Sequence, residues 1–360
     1  MTEIIRDEIA ALTSYHVQDA AGFIKLDAME NPFDFPVALR AQLAEQLANA
    51  AINRYPDASA ATLTASIRRA MLIPDTFDIL LGNGSDEIIQ MIAMAVAKPN
   101  ATLLSIEPAF VMFKMIAIFS GMQYVGVPLT ADFAIDREAA LAAVKTHQPA
   151  VIFLAYPNNP TGNLFDDAVI DEIIHASTGL VVIDEAYFAF SSRSYLTKLN
   201  LYPNVVLMRT VSKLGLAGLR LGMLIGDKKW LAEIDKVRLP YNINVFTQIA
   251  ATFALDNIAS FTAQTKQLID ERAKMAAAID VIFAPHKDAK RFESEANFIL
   301  IRLPATHDAT TVFNYLRSKK ILVKNTSLGH PLLANTLRIT VGAPTENQAF
   351  LHELNKALAS

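Results

Sequence analysis

Thr210-Val211-Ser212-Lys213-Leu214-Gly215-Leu216-Ala217-Gly218-Leu219-Arg220-Leu221-Gly222 follows directly on the apolar run Val205-Val206-Leu207-Met208 and one more arginine. The β-branched and apolar run reads as a buried strand. Beyond it come a hydroxyl, a lysine and an arginine among small and apolar residues, with glycines at 215, 218 and 222. Lysine is costly to bury and shifts its pKa when buried, the property that imine-forming amines use. Arginine offers a planar fork that matches a phosphate. Read alone, the same residues also suit an ordinary strand-to-helix connection with one solvated lysine and one surface arginine. The rest of the chain separates the two readings.

Strand and helix alternate on both sides of this loop. Residues 79–81, 102–106, 123–127, 151–155 and 180–184 read as strands, and 221–225 adds one more. Residues 36–51, 62–71, 88–97, 110–119, 137–146 and 166–176 read as the intervening helices. Repeated βα units predict a mainly parallel sheet covered by helices on both faces. In such sheets ligands bind at the carboxyl ends of the strands. Further on, residues 247–282 read as a long helical region broken near Asn257, with Ser260 placed to cap its second part. Residues 297–303, 309–319, 321–324, 337–341 and 347–359 then read as strand, helix, strand, strand and helix. The division expected is a large domain over 36–280, with 281–360 and the N-terminal arm 1–35 forming a smaller α+β domain.

At 360 residues and 52% hydrophobic composition, the chain can bury a sizeable core. The net charge of −4 and the lack of a long basic run argue against nucleic acid as a partner. With no cysteine, disulfide and thiolate chemistry are excluded, and the 7 histidines show no metal-binding spacing. The charged N-terminus lacks the apolar centre of a signal peptide. Apolar stretches such as 88–97 and 111–119 are too short to span a bilayer. A soluble cytoplasmic protein without membrane or metal partners is expected.

Several strand tips carry polar groups. Asp184 ends an apolar strand, and a buried carboxylate there needs a cation or hydrogen bonds. A pyridinium N–H is such a partner, and Tyr187 stands three residues on. Tyr156-Pro157-Asn158-Asn159-Pro160-Thr161-Gly162 makes a rigid turn with side-chain amides at another strand tip. Phe110, soon after Glu107-Pro108, has the flat face that stacks on an aromatic ring. Gly82-Asn83-Gly84-Ser85-Asp86-Glu87 feeds a helix N-terminus, with Ser85 as a candidate cap. Free N–H groups and the helix dipole make that turn an anion site. An imine-forming amine beside a phosphate clamp suits a pyridoxal-phosphate enzyme.

Taken together the pattern resembles the fold-type-I, aspartate-aminotransferase-like pyridoxal-phosphate enzymes, and within them the histidinol-phosphate aminotransferases. The matching pieces begin with Leu26-Asp27-Ala28-Met29-Glu30-Asn31-Pro32, Arg54-Tyr55-Pro56-Asp57 and Gly84-Ser85-Asp86-Glu87. Pro157-Asn158-Asn159-Pro160-Thr161-Gly162, Asp184-Glu185-Ala186-Tyr187, Ser212-Lys213 and Leu219-Arg220-Leu221-Gly222 follow. Asn297-Phe298 and Leu337-Arg338-Ile339-Thr340-Val341-Gly342 complete the order, over nearly the whole chain. The resemblance implies that Lys213 links covalently to pyridoxal 5'-phosphate and later moves the proton. It implies that Asp184 pairs with the pyridine nitrogen while Asn159 and Tyr187 hold the ring oxygen. Ser212, Arg220 and the backbone at Gly84, Ser85 and Asp86 would hold the phosphate, and Phe110, where the family often has tyrosine, would stack on the ring. Tyr55 would reach the cofactor phosphate of a neighbouring subunit, making a homodimer with shared sites. Arg338 would bind the acidic end of the substrate, with Tyr15, Asn31 and Lys324 on the substrate side. Two departures stand out: only six residues separate Lys213 from Arg220, one fewer than in many relatives, and Lys324 stands where relatives often have arginine.

The reaction implied is amino transfer between L-histidinol phosphate and 2-oxoglutarate, giving imidazole-acetol phosphate and L-glutamate. An aromatic-amino-acid aminotransferase differs in the substrate's anion, carboxylate rather than phosphate, and Arg338 serves either. Tyr15 and Lys324, if both line the site, favour phosphate. A threonine-phosphate decarboxylase-like lyase is the third reading. A non-catalytic cofactor-binding regulator would carry a DNA-binding extension, and none is visible in the sequence.

Overall fold

The computed structural model describes residues 4–14 and 18–359. The chain opens with α1 (Asp7–Ala10), β1 (Ile24–Leu26), α2 (Val37–Ala48) and α3 (Ala61–Ala70). Alternation then sets in with β2 (Asp78–Gly82), α4 (Ser85–Val96), β3 (Thr102–Glu107), α5 (Val111–Phe119), β4 (Gln123–Pro128) and α6 (Arg137–His147). It continues through β5 (Val151–Ala155), α7 (Asp167–Ala176), β6 (Leu180–Asp184), β7 (Val205–Thr210), β8 (Gly222–Gly226) and α8 (Lys228–Asp235). Two helices follow, α9 (Val245–Asp256) and α10 (Ile258–Phe283), and then β9 (Lys290–Arg291), β10 (Phe298–Arg302), α11 (Ala309–Ser318), β11 (Ile321–Asn325), β12 (Thr336–Thr340) and α12 (Pro344–Ala359).

Seven strands form one sheet in the order β2-β8-β7-β6-β5-β3-β4. Strands β3 to β7 run parallel, whereas β8 is antiparallel to both of its neighbours, β7 and β2. The α/β fold expected from the sequence is therefore present, with one reversed strand. The central strands are buried on both faces, which is why they read as continuous apolar runs. In β6, Leu180 and Val182 enter the core beneath α4, α5 and α8, while Val181 and Ile183 enter the opposite core with α6 and α7. Each such side chain contributes about 1.5–3 kcal/mol of burial. That reserve lets the sheet hold unfavourable polar groups at its tips.

The second sheet has the order β1-β11-β12-β10-β9, and α10, α11 and α12 pack on it around Leu268, Ile279, Ile339 and Phe350. Helix α10 serves both cores: Phe261 lies in the large one, whereas Leu268, Met275, Ile279 and Phe283 lie in the small one. The handover between cores thus falls between Phe261 and Leu268, ahead of a boundary at residue 280. Two caps differ from the sequence reading. Gly84, with φ of 86°, occupies the cap position of α4, and Ser85 is the first helical residue. The break before α10 is at Asn257, and Ser260 lies inside the helix. In both places the backbone turn, rather than a serine hydroxyl, starts the helix. Among the described residues no helix is long and apolar enough to cross a membrane.

Candidate active site

The carboxyl tips of β3, β5, β6 and β7 share one edge of the large sheet. Because β8 is reversed, it begins at that edge, where Gly222 pairs with Gly82 and with Thr210. Turns after β2, β3, β5 and β7, and the turn before β8, thus converge there. They enclose a cavity of about 230 Å³ whose lining includes Ser85, Asp86, Phe110, Asn159, Asp184, Tyr187, Ser212, Lys213 and Arg220. Nine residues separated by up to 135 positions in sequence meet because each sits at one strand tip.

Lys213 stands in a short turn after β7, and its Nζ lies 3.4 Å from the Ala28 carbonyl oxygen and 6.0 Å from the centre of the Tyr187 ring. Burial, helped by the positive Arg338, lowers its amine to about 8, and Glu30 opposes that shift. Across the cavity Asp184 is 5% exposed and accepts a 3.0 Å hydrogen bond from the Ala186 N–H. Burial raises its carboxyl to about 7 despite that bond. One base is thus made easier to deprotonate and one acid easier to protonate, both by desolvation. A cavity holding two groups displaced in opposite senses is a candidate functional site.

An anion cradle lies beside them. Gly84 needs its positive φ, and a Cβ there would come 2.5 Å from Arg220 Nη2. A Cβ on Gly222 would meet the Ser85 nitrogen at 2.7 Å. Glycine at both positions therefore lets the arginine and the start of α4 close on one point. The first-turn N–H groups of a helix have no partner within it. Arg220 sits 3.6 Å from Asp86, whose carboxyl is raised by burial against the pull of that arginine. Ser212 is held by Thr210, with the two hydroxyl oxygens 2.9 Å apart.

Asn159, Tyr187 and Arg338 form a chain across the site. The Asn159 amide donates to the Tyr187 oxygen at 3.1 Å, and Arg338 Nη1 donates to Asn159 Oδ1 at 2.5 Å. Arg338 Nη2 donates to the Asp27 carbonyl at 2.9 Å. Arg338 is thereby placed beside the cavity by contacts 179 and 311 residues away in sequence.

Other expected residues stand elsewhere. Lys324 pairs in register with Arg338 across β11 and β12, so both share a face of the small sheet, but Lys324 is exposed and outside the cavity wall. Asn31 is not in the cavity wall either: its amide donates to Gln264 Oε1 at 3.1 Å and to the Leu214 carbonyl at 3.4 Å. Tyr55 is 81% exposed and stacks on Tyr241 with centroids 4.5 Å apart, away from the cavity of its own chain. Tyr15 lies outside the described residues. Two polar lining residues escaped the sequence reading, Glu30 and Thr210. Thr210 closes β7 immediately ahead of the lysine turn, and its place at a strand tip was the available signal. Glu30, ion-paired with Lys25 at 2.7 Å, carried none.

Comparison with known proteins identifies the family and the fold. The family described as aminotransferase class I and II matches residues 21–354. A histidinol-phosphate aminotransferase of Cupriavidus pinatubonensis is 50% identical over 99% of this chain and 96% of its own length. One from Ralstonia nicotianae is 52% identical over 97% of this chain and 92% of its own. Among solved structures, histidinol-phosphate aminotransferase from Sinorhizobium meliloti in complex with pyridoxal-5'-phosphate superposes with a TM-score of 0.85 at 23% identity, covering 99% of this chain and 98% of that one. With residues 21–354 matched and about half of its residues identical to those two relatives over nearly its whole length, the chain belongs to the aminotransferase class I and II family.

Proposed function

We propose that the chain transfers an amino group between L-histidinol phosphate and 2-oxoglutarate with pyridoxal 5'-phosphate as cofactor. The observation that carries the substrate is half identity, end to end, with two enzymes of that name. The chemistry of the cavity fits the cofactor. A phosphate matches the cradle of Gly84, Ser85, Asp86, Ser212 and Arg220, and a protonated ring nitrogen supplies the cation that Asp184 calls for. Bound there, the cofactor supplies an aldehyde that links to amines and a ring that accepts electron density when a neighbouring C–H bond breaks.

The residues then have distinct tasks. Lys213, lowered toward neutrality, is available as nucleophile and proton carrier. Asp184 would keep the ring nitrogen protonated. Asn159 and Tyr187 would hold the ring oxygen, and Phe110 would cover the ring face. Arg338 offers its guanidinium to the anionic end of the substrate, with Lys324 adding positive charge on the same sheet face. The Glu30 carboxylate in the cavity wall suits the N–H of an imidazole. Residues 36–280 would form the cofactor domain, with the remainder as the small domain, in a cytoplasmic enzyme. The deciding experiment is single-turnover spectroscopy with histidinol phosphate, phenylalanine and threonine phosphate side by side. Histidinol phosphate is expected to react fastest; preference for phenylalanine, or carbon dioxide release from threonine phosphate, would overturn the assignment.

The enzyme is proposed to be a homodimer with shared sites, and Tyr55 supports that reading. An exposed tyrosine stacked on another exposed tyrosine has no task within its own subunit. Its phenol would donate to the partner subunit's cofactor phosphate. Losing one hydrogen bond to a charged group costs about 1.5–3 kcal/mol. Tyr55→Phe is therefore expected to weaken cofactor binding roughly 10- to 150-fold, read by cofactor titration. Mixing Tyr55→Ala with Lys213→Ala should partly restore activity, because one site of each mixed dimer carries neither change. A protein that sediments as a monomer would sink the shared site.

A further inference from the structure

We infer that Asn31 is a positioning residue for Lys213: its amide, braced by Gln264, grips the Leu214–Gly215 backbone and so fixes the lysine's direction into the cavity. The role rests on the reading above that Lys213 is the reacting amine. Three contacts set the amide. Its Oδ1 accepts from the Phe33 N–H at 2.8 Å, and its Nδ2 donates to Gln264 Oε1 at 3.1 Å and to the Leu214 carbonyl at 3.4 Å. Gln264 is itself held, donating to the Asp34 carbonyl at 2.9 Å.

Gly215 supplies a separate observation. It has φ of 102°, and a Cβ built on it would lie 2.9 Å from Asn31 Nδ2. The lysine turn thus lacks a side chain at the point where the amide lands. The same short segment also meets the lysine's other end, since Ala28 offers its carbonyl to Nζ at 3.4 Å. Residues 28–31 therefore hold Lys213 from tip and base. That segment is tied to the small sheet: Met29 N–H donates to Thr340 Oγ1 at 2.9 Å, and Asn297 donates to the Met29 carbonyl at 2.9 Å. Gln264 sits on α10 between Phe261 of one core and Leu268 of the other. The brace consequently fixes the lysine turn against the helix that both cores share.

The test is the pH dependence of Lys213 acetylation by acetic anhydride in the full-length chain free of cofactor, followed by peptide mass spectrometry. The charged and titratable groups facing this amine are Arg338, Arg220, Glu30, Asp86, Asp184 and Tyr187, and all remain in Asn31→Ala. With the brace gone the turn loosens and water reaches the amine, so its midpoint should rise from about 8 toward the ordinary 10.5. A rise of about half a unit or more is expected; loss of packing elsewhere would lower thermal stability without moving this midpoint. Gln264→Met, which leaves the Asn31 contact to Phe33 intact, should give the same direction and carries the test if Asn31→Ala does not fold. An unchanged midpoint in a folded variant, or failure of both variants to fold, overturns the proposal. An unaltered protein that takes no pyridoxyl label on Lys213 after borohydride would instead overturn the aminotransferase reading and leave the midpoint comparison standing.

Discussion

Lys213→Ala is expected to lower turnover by roughly 10⁴-fold, the upper end of what general acid–base transfer alone supplies, because nucleophile and proton carrier are lost together. Cofactor should still bind through the cradle and Asp184, neither of which the substitution touches. Single-turnover spectra with histidinol phosphate measure the loss, and borohydride reduction of the unaltered protein should place the pyridoxyl group on Lys213 in a peptide map. A label on another lysine would end the assignment. The same variant has a stability signature. An amine at about 8 in the fold and 10.5 in the unfolded chain is penalised in its charged form. That penalty is fully present below pH 8 and is relieved as pH rises through 10.5. The cofactor-free alanine variant should therefore melt higher than the unaltered chain below pH 8, and the two should converge above pH 10.5.

Asp184→Asn is expected to reduce turnover by roughly 10²-fold or more, the scale of losing one preorganised electrostatic group at a reacting centre. Cofactor affinity should fall far less. The amide keeps the shape and the contact with Ala186 but cannot stabilise a protonated ring nitrogen. The half-reaction with the amino donor, followed by absorbance, separates the two effects. Turnover within about threefold of the unaltered enzyme, roughly 0.6 kcal/mol of barrier, would remove Asp184 from that role. The pH sign here is opposite to that of the lysine. A carboxyl raised to about 7 from 3.8 is unstable when charged, so its penalty grows through that window and is complete above pH 7. Asparagine should raise the melting temperature of the cofactor-free chain above pH 7 and change little below pH 4. Cofactor binding, by setting a cation against the carboxylate, should stabilise the unaltered chain most in the same alkaline range.

Much of the site was legible because strand tips are legible. Apolar runs of four or five residues, leading to Asp184, to Tyr156 and, past Arg209, to the Ser212-Lys213 turn, announce buried strands of an α/β sheet. Ligands then gather at the carboxyl ends. Asp184, Asn159, Tyr187, Lys213 and Arg220 all lie in the one cavity wall. The matches run in order along the chain, which pointed to the family that the comparisons establish.

What the residues could not announce is where long-range partners fall. Periodicity reports that β8 is buried, not that it runs backwards, since a strand buried on both faces has the same pattern in either direction. The resemblance put Asn31 on the substrate side, but its amide had donors and acceptors on several sides, and only the packing of Gln264 on α10 turned it onto the Leu214 carbonyl. Ser85 and Ser260 have good capping side chains, yet the turns at Gly84 and Asn257 start those helices. The sequence by itself determined the alternation, the buried strands and the chemistry at their tips, because burial and local turn preferences act on neighbouring residues. Tertiary structure alone decided the reversal of β8, the handover of α10 between cores and the bridge from Arg338 to Asn159. Each depends on which distant backbone or side chain offers the complementary hydrogen bond once the cores have closed.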